Sequence, residues 1–304
     1  MASPRQTRAG RTSRSRPARG AASSLRRPPA FIQRYRGAIL AAVAVLILAA
    51  AAVILVVKFG PTNAGKEAAA GVAPADPALV AAVTGIPAAT YDAVGAGSAS
   101  NAPKAISGAP ALEEGGKPAV LYVGGEFCPF CAAERWSLLA ALSRFGSFGN
   151  LHTVRSASGD VFPSTATFSF YQAAYTSQYL AFDPVEEYTN QPSGNGYTPL
   201  QQLTSAQRST VDKYNKPPYT QGGIPFVDFG NNYAFSGATY SPGVLAGMDW
   251  QQIADQLKNP SSPQAQGIIG SANLISATIC QVTGQQPADV CGSAGVQKAA
   301  ATLR

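Results

Sequence analysis

The chain predicts an α/β domain carried behind one transmembrane helix, on three observations. A short apolar run, Ala119 to Val123, ends in Gly124-Gly125 and leads directly into a helical pattern, with Cys128 and Cys131 at the joint. Further on, Gly222-Gly223-Ile224-Pro225 reopens an alternating strand pattern. Ahead of both lies an uninterrupted, uncharged apolar segment of 21 residues, Gly37 to Val57. With 304 residues, 46% hydrophobic and 13% charged, the chain has ample material for a core.

Residues 1–36 hold ten arginines and no acid, so of the 23 basic residues 13 remain for the rest of the chain, against 16 acids. The formal charge of +7 therefore belongs to this tail, and the remainder is net −3. That distribution argues against nucleic acid as a partner of the folded part. The tail has too little apolar content to bury a core and is expected to be a disordered cytoplasmic arm. Gly37 to Val57 is long enough to cross the hydrocarbon as a helix in contact with the lipid bilayer. Lys58-Phe59-Gly60-Pro61 offers no small-residue cleavage pattern, so the span is expected to be retained as a single-pass anchor in the cell membrane. The arginines before it set the N-terminus in the cytoplasm and everything from Lys58 onward outside it. Residues 58–110, rich in Ala, Gly, Pro and Ser, read as a flexible linker with one short helix at Pro77 to Val83.

The ordered domain is expected over residues 111–304. Ala119 to Val123 suits a strand covered on both faces. The helix after it places Ala132, Trp136, Leu139 and Ala140 on one stripe and Glu134, Ser137 and Arg144 on another. Trp136 is assigned to the core, Glu126 and Glu134 to solvated helix-end charge, and Arg135 to solvent. Leu151 to Ser156 reads as a second strand, completing a strand, helix, strand unit with a parallel pair and a right-handed crossover. His152, the only histidine, lies on it. Residues 158–221 then form an insertion, with a strand at Thr167 to Phe170, an extended stretch at Tyr179 to Tyr188 and a helix at Leu200 to Tyr214. Its aromatic residues Phe168, Phe170, Tyr171, Tyr175, Tyr179 and Phe182 serve either as core or as the lining of a groove. Gly230-Asn231-Asn232-Tyr233 supplies turn chemistry for a hairpin that begins at Ile224-Pro225. Met248 to Leu257 forms a helix that packs back on it, and a helical extension over 261–304 includes Ala265 to Cys280.

Cys128 stands at the helix N-terminus, where unpaired N–H groups and the helix dipole favour a thiolate. Pro129 occupies the first turn, where its missing N–H costs nothing. Cys131, one turn on, is placed to resolve a mixed disulfide. A closed zinc site needs two further ligands at suitable spacing, and His152 with the distant Cys280 and Cys291 does not supply them. In an oxidising compartment a simple staple between Cys128 and Cys131 is the rival reading, and it leads to a non-catalytic scaffold or adhesion module. Cys280 and Cys291, separated by Thr283, Gly284 and Pro287, are assigned to a structural disulfide.

The order of these parts resembles the thioredoxin fold: an apolar strand, Cys128-Pro129-Phe130-Cys131 at a helix start, a second strand, the Ile224-Pro225 hairpin and a final helix. The likeness covers roughly residues 111 to 260. The run Gly125 to Trp136, with Thr167 to Tyr171, resembles more closely the membrane-anchored family called domain of unknown function 929. The thioredoxin likeness implies Cys128 as nucleophile, Cys131 as resolving thiol, and a cis peptide before Pro225 beside the pair, with Ile224 and Pro225 meeting the substrate backbone. Phe127 and Pro129-Phe130 stand where thioredoxin has Trp and Gly-Pro, nearer the glutaredoxin pattern. The expected activity is thiol–disulfide exchange with protein thiols or disulfides outside the cytoplasm, without a cofactor and with a membrane redox partner.

Overall fold

The computed structural model describes residues 72–303. The basic tail and the span expected at Gly37 to Val57 lie outside the described residues. Among those described, no single helix is long and apolar enough to cross a membrane. The strands, in order, are β1 (Ala73–Pro74), β2 (Lys104–Ala105), β3 (Glu113–Glu114), β4 (Lys117–Gly124), β5 (Gly146–Gly149), β6 (His152–Arg155) and β7 (Ala166–Ser169). They continue with β8 (Ala174–Ser177), β9 (Ala181–Glu186), β10 (Tyr188–Ser193), β11 (Gly196–Pro199), β12 (Phe226–Phe229) and β13 (Tyr233–Ser236). The helices are α1 (Pro77–Thr84), α2 (Ala88–Val94), α3 (Pro129–Leu142), α4 (Ser205–Tyr214), α5 (Trp250–Gln256), α6 (Pro263–Val282), α7 (Ala288–Cys291) and α8 (Ala294–Ala300).

A mixed α/β architecture results, with β4 at its centre. β12 runs antiparallel along one edge of β4, followed by β13 and β2. The other edge is shared, β3 pairing with the first residues of β4 and β9 running parallel to Ala119 through Gly124. Strand alternation divides the core: Val120 and Tyr122 face the layer that contains α3 and α6, while Leu121 and Val123 face a smaller cluster with Val185, Phe226 and Tyr214. Helix α3 is buried on nearly every side because it lies between the sheet and α6, whose residues from Ala265 to Cys280 are mostly buried too. The strand at Ala119 to Val123, the hairpin β12–β13 and the long C-terminal helix match the sequence expectations, and α5 forms where expected but packs against α1 and α6 instead of the hairpin.

Three expectations are corrected. Leu151 to Ser156 does form a strand, but β6 pairs antiparallel with β1 and β7 in a separate three-stranded sheet. The parallel partner of β4 is β9, inside the stretch expected to be an insertion. The extended stretch expected at Tyr179 to Tyr188 holds β9, with Asp183 and Pro184 inside it. They are tolerated because β9 is an edge strand, where a missing N–H need leave no ladder bond unmade. The flexible linker expected up to residue 110 is ordered from residue 72 onward: Leu79 and Val83 of α1 and Tyr91 and Val94 of α2 are buried, and the Tyr91 hydroxyl donates to the Ala140 carbonyl at 2.9 Å. Of the aromatic residues of 168–182, Phe168 and Phe170 are buried in the core and Tyr175, Tyr179 and Phe182 pack against it, while Tyr171 stands half-buried outside it. Phe170 and Phe182 meet edge to face at 5.1 Å and both contact Phe148, so no groove is lined by them.

Cys280 and Cys291 are bonded, with Cα atoms 5.7 Å apart and a sequence separation of 11. The bridge joins the end of α6 to α7, both sulfurs buried. Closing a loop of that size contributes about 2 to 3 kcal/mol through the unfolded chain. Replacing both by Ser should lower stability by that amount in denaturant titration, with the slope of the transition otherwise little changed.

Candidate functional site

The redox-capable residues sit where β4 hands over to α3. Gly124 and Gly125 end the strand, and the Cys128 N–H donates to the Gly125 carbonyl at 3.1 Å. Gly125 has to be small: a Cβ there would lie 2.7 Å from the Phe127 ring. Cys128 is the N-cap of α3, with extended backbone, and Pro129 follows in the first turn. The Cys128 sulfur accepts from the Cys131 N–H at 3.3 Å, so an orphan donor of the helix end points at the thiol. Both cysteines are free thiols; Cys128 retains 6% of its surface and Cys131 none.

Their acidities diverge. The Cys131 thiol, donating to the Cys128 sulfur, does most to hold the Cys128 pKa below the ordinary thiol value; burial opposes it, and backbone N–H groups and the Arg135 guanidinium act in its favour. Burial pushes Cys131 well above that value, and its bond to Cys128 adds to the rise. Ionisation is thus favoured at the outer sulfur over the inner one.

Ile224 and Pro225, the other expected site residues, lie beside the pair. The Cys128 thiol donates to the Ile224 carbonyl at 3.9 Å, and the Ile224-Pro225 peptide is cis. Gly222 and Gly223 both adopt φ of 82°, the left-handed conformation that brings the chain round to this position.

Three charged residues assigned to solvent from the sequence, Glu126, Glu134 and Arg135, are fully buried instead. Arg135 binds Glu186 at the end of β9 through two bonds, Nε to Oε1 at 2.7 Å and Nη2 to Oε2 at 2.8 Å, and Nη2 also reaches the Gly125 carbonyl at 2.8 Å. Burial works against the Arg135 charge, yet Glu186, with Tyr122 and Cys131, holds its pKa above the ordinary value. Glu126 accepts from the Ser169 hydroxyl at 2.6 Å, its other oxygen has no hydrogen-bond partner among the described residues, and burial raises its pKa. Glu134 faces away from the thiols and caps the loop after β13: the Thr239 N–H and hydroxyl both donate to Oε2 at 2.8 Å, while burial lifts its pKa to about 7. Trp136 is core as expected, its indole N–H donating to the Ala166 carbonyl at 2.9 Å. His152 lies on β6 opposite Ser169.

Arg135 and Glu186 escaped the sequence reading because nothing local names their partner. A signal was present: Glu134-Arg135 interrupts a helix that is apolar on all its other faces, and such a helix is normally buried.

Two outcomes follow from this geometry. Alkylation of the reduced protein should modify Cys128 first, with a pH midpoint below that of an ordinary thiol, since the thiolate is the reacting form and is retained at lower pH. Labelling by mass spectrometry checks it; prior modification of Cys131 would contradict the assignment. Arg135→Ala should destabilise the fold by about 3 to 5 kcal/mol, because Glu186 is left charged and buried without its partner. Chemical denaturation measures that loss.

A family model described as Domain of unknown function (DUF929) matches residues 103–281, more than half of the chain. No curated protein and no solved structure matches it.

Proposed function

The chain belongs to the family described as Domain of unknown function (DUF929), and from that premise we propose that it is a thiol–disulfide oxidoreductase acting on protein disulfides through Cys128 and Cys131. The observation that carries the proposal is the free dithiol at the α3 N-terminus, with the Cys128 sulfur turned to the Cys131 N–H at 3.3 Å. The order β13, β12, β4, β9 with α3 following β4 supports the thioredoxin-like reading of the fold.

The Cys128 thiolate attacks one sulfur of a substrate disulfide, forming a mixed disulfide and releasing the other substrate sulfur as a thiolate that takes up a proton. Cys131 then gives up its proton, attacks the Cys128 sulfur and expels the substrate thiol. The substrate disulfide is reduced to two thiols and the dithiol becomes a disulfide; the reverse order oxidises a substrate dithiol. Glu126, two residues before Cys128 and buried with one oxygen unpartnered, is the proposed acceptor of the Cys131 proton. In this reading the ten arginines and the apolar segment Gly37 to Val57 anchor the domain at a membrane, with the thiols on the extracytoplasmic side, where protein disulfides persist.

The reduction potential of the Cys128/Cys131 couple tests the proposal, since structural bridges fall below about −300 mV and exchanging ones above it. Cys131→Ser should also accumulate mixed disulfides through Cys128 when the reduced chain meets oxidised proteins, seen as high-mass bands that vanish on reduction. A potential below that threshold, or no trapped species, would sink the assignment.

A further inference from the structure

Four large apolar side chains stand out into solvent among the described residues, and three of them, Phe130 (38% exposed), Val161 (67%) and Tyr188 (41%), belong to two walls built beside Cys128. Scattered surface hydrophobics need no explanation, but their concentration on either side of one nucleophile does. On one side, Phe162 meets Phe130 edge to face at 5.8 Å, bringing the loop with Val161 alongside the helix start. That loop is pinned at its root by the Ala157 N–H on the Phe127 carbonyl (2.8 Å) and closed on itself by the Ser164 N–H on the Ala157 carbonyl (3.1 Å). The other wall is the β10–β11 hairpin. Tyr197 stacks on Phe127 at 4.2 Å, Tyr188 meets it edge on at 6.2 Å, and the Glu126 N–H donates to the Tyr188 carbonyl at 2.9 Å. The Cys128 sulfur is recessed next to these walls, with the Ile224 carbonyl beside it.

Resting on the exchange reading above, we propose that the two walls form a cleft for an extended polypeptide whose cystine is flanked by uncharged, apolar residues, and that they exclude disulfides held on a folded surface. A recessed sulfur is reached by a slender segment more readily than by a rigid globular face. Side chains of an extended chain alternate at about 3.3 Å per residue, so residues on both sides of the cystine meet the walls while its sulfur meets Cys128. The wall side chains Phe127, Phe130, Val161, Phe162, Tyr188 and Tyr197 carry no charge, so they bury apolar groups favourably, and the one carboxylate beside Val161, that of Asp160, repels an acidic neighbour. The chemistry is unchanged: an S–S bond forms between Cys128 and the substrate sulfur, its former partner leaves as a thiolate and is protonated, and Cys131 completes the two-electron transfer.

The test is single-turnover oxidation of the full reduced chain, which needs no outside reductant. Four probes are compared: hydroxyethyl disulfide, two ten-residue peptides whose single Cys is joined to glutathione, one with Leu and Phe flanking it and one with Ser and Gly, and a folded protein with one solvent-exposed disulfide. The apolar peptide should react about tenfold faster than the polar one, and Val161→Ser with Tyr188→Ser should bring the two rates together, each taken as a ratio to the same variant's rate with hydroxyethyl disulfide. Val161→Ser alone, at an exposed loop tip, should narrow the difference and does not depend on how the double variant folds. Equal peptide rates in the unaltered chain, a preference that survives the substitutions, or a folded protein that reacts as fast as the apolar peptide would each overturn the cleft. A chain inert to hydroxyethyl disulfide itself would overturn the exchange reading beneath it.

Discussion

The buried ion pair between Arg135 and Glu186 is the constraint around which the site is arranged. Both side chains are fully withdrawn from water, so each charge requires the other and further hydrogen bonds to offset its desolvation. The two-point contact meets that requirement only if α3, which carries Arg135, and β9, which ends in Glu186, hold a fixed relation. The third bond, from Arg135 to the Gly125 carbonyl, extends the relation to the turn that positions Cys128. Gly125 accepts in addition from the Cys128 N–H, so one carbonyl links the buried cation to the backbone of the nucleophile. Glu187 and Tyr188 follow directly on β9 and bond back to Gly124 and Glu126, which carries the same restraint into the hairpin wall.

This arrangement separates the acidities of two thiols only one helical turn apart. Helix-end N–H groups and a permanent cation act on the outer sulfur, while the inner one has lost all contact with water. A low-lying thiolate beside a strongly held thiol suits a reaction in which the first sulfur attacks and the second acts only after the mixed disulfide has formed. Burial also raises the pKa of Glu126, two residues before Cys128 and half satisfied by Ser169.

The far side of α3 is closed by residues from both ends of the described chain. Arg144, near the C-terminal end of the helix, lies over the Tyr91 ring at 4.2 Å and bonds to Asn273, Ser276 and Ser293. Asn273 in turn holds the carbonyls of Tyr91 and Gly95. This polar clasp, with the Cys280–Cys291 bridge near it in sequence, fixes the N-terminal helices and the C-terminal ones against α3. A helix enclosed in this way cannot easily shift, which keeps its N-terminal cysteines in register with Ile224.

The sequence by itself determined the pieces whose cause is local. An apolar run ending at Gly124-Gly125, a cysteine at a helix start with Pro129 behind it, the turn at Gly230 to Asn232 and the long helical stripe of α6 all follow from periodicity and short-range chemistry, and all are present. Tertiary structure decided which strand lies beside β4, because parallel pairing is chosen at long range and an edge position excuses Asp183 and Pro184 in β9. It likewise decided that Glu126, Glu134 and Arg135 go inside. A charge in a sequence reads as solvated until a partner is known, and here the partners, Ser169, Thr239 and Glu186, come from segments far along the chain that only folding brings together.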